Sequence, residues 1–484
     1  MIAIPLAICF LLGVLSFCLQ KTLPWQRGLA VVGSLLVLVA SLWQLDTVYA
    51  QGAQSLAFGN WQPPFGISFH VDLLSSVLIA VSSLVYFCGA VASVTAKIIK
   101  AELRGYYPLF HFLMLGILGA FSTGDLFNLY VWFEVLLLSS FFLVTAHGKQ
   151  RAFAGGFKYA LINILASLIF LTGVSLIYSG SGTLNLLQLK SLAGSLESSA
   201  LFLGVSILTI AFLIKAAIFP FYFWLPASYP LTTTPVVAVF SGLLTKVGIY
   251  GLLRILAPFN ETMPQSFIIA LQILALASMI FGVFGALSQE NMKGILAYHS
   301  ASQLGYILLA FTLNTKLGIA ACVFYMVHHM VVKTNLFLVV SAIETQEGST
   351  LIAKVGGLLQ KSPMLAVMFA IPALSLAGIP PLMGFWAKVF TIQGLFQNGK
   401  TIAVLISLAV SLLTLMSMLK IWVGVFWKPA PSEVSSQPLA RSRKWIYLPL
   451  ILLAAVSIFV GAFSQPGIEI AKQLAADVMN EDSI

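Results

Sequence analysis

Apolar residues run along this chain in long stretches separated by short polar ones. The stretches lie near 2–20, 27–46, 70–96, 107–123, 125–146, 154–178, 201–229, 231–257, 266–288, 292–313, 317–343, 363–397, 401–427 and 445–465. A helix needs about 20 apolar residues to cross a bilayer, so the pattern predicts an all-α polytopic membrane protein of about 14 transmembrane helices. Two stretches carry a break in the middle. FLIKAAIFPFYFWLP holds Pro220, and SLAGIPPLMGFWAK holds Gly378, Pro380 and Pro381. Proline frees backbone carbonyls, which is tolerated at membrane depth only where protein or water satisfies them, so the breaks predict hydrated cavities.

The breaks occupy matching places in two halves of the chain. Pro220 with Pro381, Trp224 with Trp386, Tyr159 with Tyr325, and the LLT of 243–245 with that of 412–414 recur at a nearly constant offset. The expected organisation is an N-terminal three-helix segment over 1–106, a first five-helix repeat over 107–257 and a second over 258–427. A loop, final helix and tail follow over 428–484. An odd number of helices per unit inverts the second copy, an arrangement that puts ion sites near the midplane at discontinuous helices.

Composition agrees and removes the soluble alternatives: 60% of residues are hydrophobic and 8% charged, with a mean hydropathy of +1.00. The first stretch has neither a basic start nor a small-residue cleavage site and is expected to stay as a helix. Cys9, Cys18, Cys88 and Cys322 are far apart without metal-ligand spacing, and read as small core residues. The net charge of +10 reports topology rather than nucleic acid. Lys and Arg concentrate about three to one in the segments 21–27, 97–104, 149–158, 293, 354–361 and 428–444, which predicts that face to be cytoplasmic and both termini to be outside.

The remaining charge is chemically informative. Lys215, Lys246, Lys333, Lys388 and Lys420, with Glu134, lie inside apolar stretches, where an ionised side chain costs a few kcal/mol or more and marks a pathway for ions or protons. Glu134 is expected to pair with Lys215, so that their relative movement loads or releases a proton. Lys246 has no acid in its own stretch and suits a lysine that is neutral part of the time. Lys388 mirrors Lys215 in the second break. His299 and the pair His328 and His329 fall between Lys246 and Lys388, where histidine suits a relay. His329 and Lys333 are four apart and share a helix face. Lys420, near the end of its stretch, is expected to snorkel.

With these residues in view, the chain resembles the antiporter-like subunits shared by Mrp-type cation/proton antiporters and respiratory complex I. Glu134, Lys215, Lys246 and Lys388 match the family's glutamate, two central lysines and terminal lysine. GNWQPPFGISFHVDLLS at 59–75 and HHMVVKTNLFLV at 328–339 resemble the D-type branch of the Mrp subunits. Lysine at 388 is unlike the M-type subunit of complex I. The short C-terminus is unlike the L-type subunit and the larger A-type Mrp subunit, and the N-type subunit of complex I remains the alternative.

The resemblance implies half-channels from opposite sides joined by a hydrated polar axis. It also implies exchange of protons for sodium or another monovalent cation across a bacterial cytoplasmic membrane, and work inside an assembly with Mrp subunits of types A, B, C, E, F and G. No cofactor is implied. Asp72 and Asp125 are isolated in sequence and form no sodium site. An enzyme is disfavoured, since there is no HExxH, paired intramembrane aspartates, Walker A or Cys/His metal pattern. A passive scaffold has little reason to bury five lysines.

Overall fold

The computed structural model describes residues 2–96, 98–146, 150–192, 199–259, 263–429 and 445–479. The basic positions expected at 97, 149 and 441–444, and the acidic residues 481 and 482, lie outside them.

The chain is almost wholly helical. In order it forms α1 (Ile4–Cys18), α2 (Leu23–Gln51), a hairpin of β1 (Gln54–Ala57) and β2 (Ser68–Val71), α3 (Leu73–Thr95), α4 (Ile99–Glu102), α5 (Tyr106–Ser122) and α6 (Leu126–Thr145). Then come α7 (Gln150–Ser181), α8 (Leu186–Leu192), α9 (Ser199–Lys215), α10 (Trp224–Ser228), α11 (Thr234–Leu256), α12 (Gln265–Ser288), α13 (Met292–Phe311) and α14 (Lys316–Glu347). α15 (Leu358–Lys361), α16 (Pro363–Ala377), α17 (Met383–Gln397), α18 (Thr401–Ile421), α19 (Tyr447–Ala462) and α20 (Ser464–Met479) complete it.

Helix starts follow local chemistry. Asp72, Asp125, Asn291 and Thr315 cap α3, α6, α13 and α14 by accepting hydrogen bonds from backbone amides of the first turn. α14 stops at Gly348, which takes the left-handed conformation. Among the described residues, α2, α3, α6, α7, α11, α12, α14 and α18 are long and apolar enough to cross a membrane. α1, α5, α9 and α16 are apolar but short.

α11 and α14 form the centre. In their most apolar windows, 100% of α11 and 94% of α14 is buried inside the protein, against 39% for α2 and α12. These two helices therefore see protein rather than lipid all round, and polar side chains on them need protein partners. Gly242 lets them close. A Cβ there would come 2.3 Å from Thr334 Oγ1 of α14.

One expectation is corrected. The stretch at 445–465 was to end in a tail; instead α19 turns by 84° into α20. α20 buries Ala471, Leu474 and Ala475 on one side and packs against α14. Its apolar residues alternate with Glu469, Lys472 and Asp477, so no continuous apolar run marks it. Lys420, expected to snorkel, reaches the end of α12, where its Nζ donates to the carbonyls of Leu287 (3.0 Å) and Gln289 (2.7 Å). The half-buried ammonium meets the negative end of that helix dipole.

Candidate functional site

The two breaks position the outermost lysines. α9 ends at Lys215, and the backbone from Ala216 through Pro220 leaves the helix before a short turn leads to α10. The Ile214 carbonyl, which accepts from Ala217 N at 3.0 Å, also accepts from Trp224 Nε1 at 3.1 Å, and Phe219 N donates to Ser278 Oγ of α12 at 2.6 Å. In the second break α16 stops at Gly378, with φ +92°, and α17 begins at Met383 after Pro380 and Pro381. Lys388 reaches back from α17, and its Nζ donates to the last α16 carbonyl, that of Ala377, at 3.0 Å. Its ammonium thus sits at the negative end of a broken helix.

Lys215 and Glu134 do not form the expected ion pair. Lys215 Nζ donates to Ser167 Oγ of α7 at 3.2 Å and lies 4.5 Å from the Phe133 ring centre. Glu134 is half-buried, and its Oε1 has no hydrogen-bond partner among the described residues. The carboxylate remains within electrostatic reach of Lys215. Phe133, one position earlier, takes the inward place on α6, because adjacent helix positions point about 100° apart.

The central lysines are joined by a network that the apolar pattern and its rare charges do not reveal. Lys246 Nζ donates to the Ser241 carbonyl one turn back on α11. Ser241 Oγ meets Ser300 Oγ of α13 at 3.0 Å. Ser300 Oγ donates to the Leu296 carbonyl at 3.2 Å, and the same carbonyl accepts from Lys333 Nζ of α14 at 2.5 Å. Ser241 and the hydrogen bonds it makes to α13 therefore bridge the α11 lysine and the α14 lysine. Serine is so common in apolar helices, bonded to its own preceding turn, that Ser241 and Ser300 carry no sequence signal.

The histidines fill the space between Lys246, Lys333 and Lys388. His329 is within electrostatic reach of Lys246 and Lys333, His299 of Lys333 and Lys388, and His328 of Lys388. All three are fully buried. His328 meets the Tyr325 ring edge-on at 5.6 Å. Tyr325 stacks on Tyr306, whose ring centre lies 5.3 Å from Lys388 Nζ. Each lysine ammonium offers three donors. Lys215, Lys246, Lys333 and Lys388 each find one protein acceptor and no ion pair among the described residues. Such partly satisfied amines can give up a proton, whereas a carboxylate partner would lock the charge.

Two cavities open at opposite ends of α11. One, of about 320 Å³, is lined by Asp72, Arg254, His70, Lys190 and Asp477. The other, of about 510 Å³, is lined by Thr232, Thr234, Lys293, Ser341, Glu344 and Thr345. Lys293 Nζ pairs with Glu344 at 3.0 Å, and Thr234 Oγ1 donates to the same carboxylate. Asp72 is not isolated: Arg254 binds it with two nitrogens at 2.6 Å.

The family model described as NADH:quinone oxidoreductase/Mrp antiporter, TM, matches residues 123–414, which include every buried lysine and histidine of the row. The D subunit of the Na(+)/H(+) antiporter of Alkalihalophilus pseudofirmus is 39% identical over 99% of this chain and 97% of its own length. A chain in the structure of the Mrp complex from Dietzia sp. superposes with a TM-score of 0.91 at 31% identity, covering 99% of this chain and 97% of that one. A chain of respiratory complex I from Thermus thermophilus superposes with a TM-score of 0.85 at 23% identity over 99% and 100%, a likeness of fold.

Proposed function

Because the chain belongs to the NADH:quinone oxidoreductase/Mrp antiporter transmembrane family, we propose that its buried lysine and histidine row is the proton route of a sodium/proton exchanger. The chain is a multi-pass membrane component of a monovalent cation/proton antiporter, a transporter rather than an enzyme, and belongs to a multisubunit assembly. The finer reading is ours. The assembly contains subunits of types A, B, C, E, F and G, and sits in a bacterial cytoplasmic membrane with both termini outside. Sodium or another monovalent cation leaves as protons enter. With the eight long helices, α1, α5, α13, α19 and the two broken segments α9–α10 and α16–α17 complete fourteen crossings, arranged as inverted repeats over 107–257 and 258–427.

One observation carries the relay. Lys246, Lys333 and the three histidines lie on the innermost helices, α11, α13 and α14, where each costs free energy that no described carboxylate offsets. A proton on Lys246 passes to His329 or Lys333, then through His299 or His328 to Lys388. Lys215, with Glu134 in reach, sets the charge at the other end.

The test is sodium-dependent dissipation of a proton gradient in inverted vesicles from antiporter-deficient cells expressing all subunits, with wild type beside Lys246→Ala and assembly checked by blot. We expect exchange in wild type and loss of it in the assembled variant. Full activity in the variant would remove the relay. No cation-dependent exchange in wild type would favour the role of an N-type subunit of complex I.

A further inference from the structure

His299 differs from the other two buried histidines in how its ring is held. Both ring nitrogens of His328 and of His329 lack a hydrogen-bond partner among the described residues. His299 Nε2 instead meets Ser417 Oγ of α18, while its Nδ1 has none. The Ser417 hydroxyl has a single proton, and it is directed at the Thr414 carbonyl one turn back, at 2.9 Å. A hydroxyl that donates elsewhere can only accept from the ring. The Nε2 nitrogen must then carry the proton, which leaves Nδ1 as a bare lone pair in the neutral ring.

We propose that Ser417 is a positioning residue that fixes His299 in the Nε2–H tautomer and makes Nδ1 its one proton acceptor between Lys333 and Lys388. This rests on the relay reading above and adds a directional constraint to it. A lysine N–H bond breaks as the Nδ1–H bond forms, directly or through one water, and the lysine is left neutral beside an imidazolium. The Nδ1–H bond then breaks toward the next base. The Nε2 proton never leaves, so the proton enters and departs at the same nitrogen instead of crossing the ring. Ser417 touches no transferred proton and acts only through His299. Its partner Thr414 is pinned in turn, since its own hydroxyl donates to the Val410 carbonyl at 2.8 Å.

The experiment combines exchange in vesicles holding the full assembly with solid-state nitrogen NMR of ring-labelled histidine, the His299 signals being identified by difference against His299→Gln. In wild type the expected spectrum has a protonated Nε2 and a bare Nδ1. Ser417→Ala, with assembly intact, should lower exchange at least about tenfold, because a histidine in the wrong tautomer can lose orders of magnitude in proton-transfer rate. The same variant should add the Nδ1–H tautomer to the spectrum. Ser417→Thr, which keeps the oxygen, should recover most of both.

A wild-type Nδ1–H tautomer overturns the assignment. So does Ser417→Ala with exchange and tautomer unchanged, or equal loss in both variants with the tautomer unmoved, which would mean packing alone. Lys246→Ala run in parallel separates the two readings. If it retains exchange the relay fails, while the nitrogen spectrum still decides the tautomer.

Discussion

Lys388 owes its position to a glycine. A Cβ on Gly378 would lie 2.7 Å from Lys388 Cδ, and φ there is +92°. Gly378→Ala therefore carries a left-handed penalty of roughly 1–2 kcal/mol and also pushes the ammonium off the Ala377 carbonyl. Gly182, with φ +69° and nothing within 4 Å of its Cβ position, is the matched control that carries the penalty alone. Gly378→Ala should cut sodium-dependent exchange several-fold in assembled vesicles, with Gly182→Ala close to wild type; equal activities would show that the exact seat of Lys388 does not matter. At this scale the sequence is readable where a residue type is rare for its surroundings. Lysine and histidine in apolar stretches stand out, as do glycine and proline at a break. Ser241 and Ser300, whose hydroxyls meet between α11 and α13, and Ser417, which meets His299, do not. The Glu134–Lys215 pairing failed because sequence gives depth along a helix but not which of two neighbours, Phe133 or Glu134, faces inward.

Among elements, the tie between α3 and α11 is the clearest energetic statement. Asp72 caps α3 through the Ser75 amide and also holds both terminal nitrogens of Arg254 near the end of α11. Arg254 Nη2 donates to Ser75 Oγ at 2.9 Å, and Ser75 Oγ meets Tyr250 OH at 3.0 Å. The side chains of Arg254 and Asp72 are only 15% and 17% exposed, so water screens the pair weakly. Burial alone would raise the Asp72 pKa. The Arg254 charge and hydrogen bonds, with the Ser75 amide, outweigh it and hold the carboxyl below the usual carboxylate range. A depressed folded value means that this stability is fully present above the unfolded pKa, near 3.9, and is lost as pH falls through the folded value. Asp72→Asn should cost about 3–5 kcal/mol by leaving Arg254 uncompensated. Thermal unfolding in detergent should show a gap from wild type that is constant between about pH 5 and 8 and narrows in strong acid. A gap that persists unchanged in acid would mean that the loss does not come from the Asp72–Arg254 charge pair, since asparagine keeps the cap. Element breaks at Pro220 and Pro380 were legible from composition. α20 was not, because an amphipathic helix lying across the bundle has no apolar run to read.

For the whole molecule, the two cavities bear on orientation. α2 ends, α3 begins and α11 ends at the cavity of Asp72 and Arg254; α11 begins and α14 ends at the cavity of Lys293 and Glu344. A single buried helix thus spans from one to the other with Lys246 between them. The sequence placed Lys293, Lys354 and Lys361 on the basic, cytoplasmic face, so the Lys293 cavity is expected inside and the Asp72 cavity, covered by α20, outside. Thr345 lines the first and Gln473 the second. Native thiols interfere little, since Cys9, Cys88 and Cys322 are buried, and exposed Cys18 can be replaced by serine. In that background, a membrane-impermeant maleimide should label Gln473→Cys in right-side-out vesicles and Thr345→Cys in inverted ones. Labelling of both from one face would mean that the two cavities do not open to opposite compartments, and the relay between them would lose its purpose. The reverse pattern would keep the cavities opposed but turn the molecule over. It would show that the charges of 97–104 and 149–158 do not set its topology, and the port nearest Lys293 would then face the side from which protons arrive.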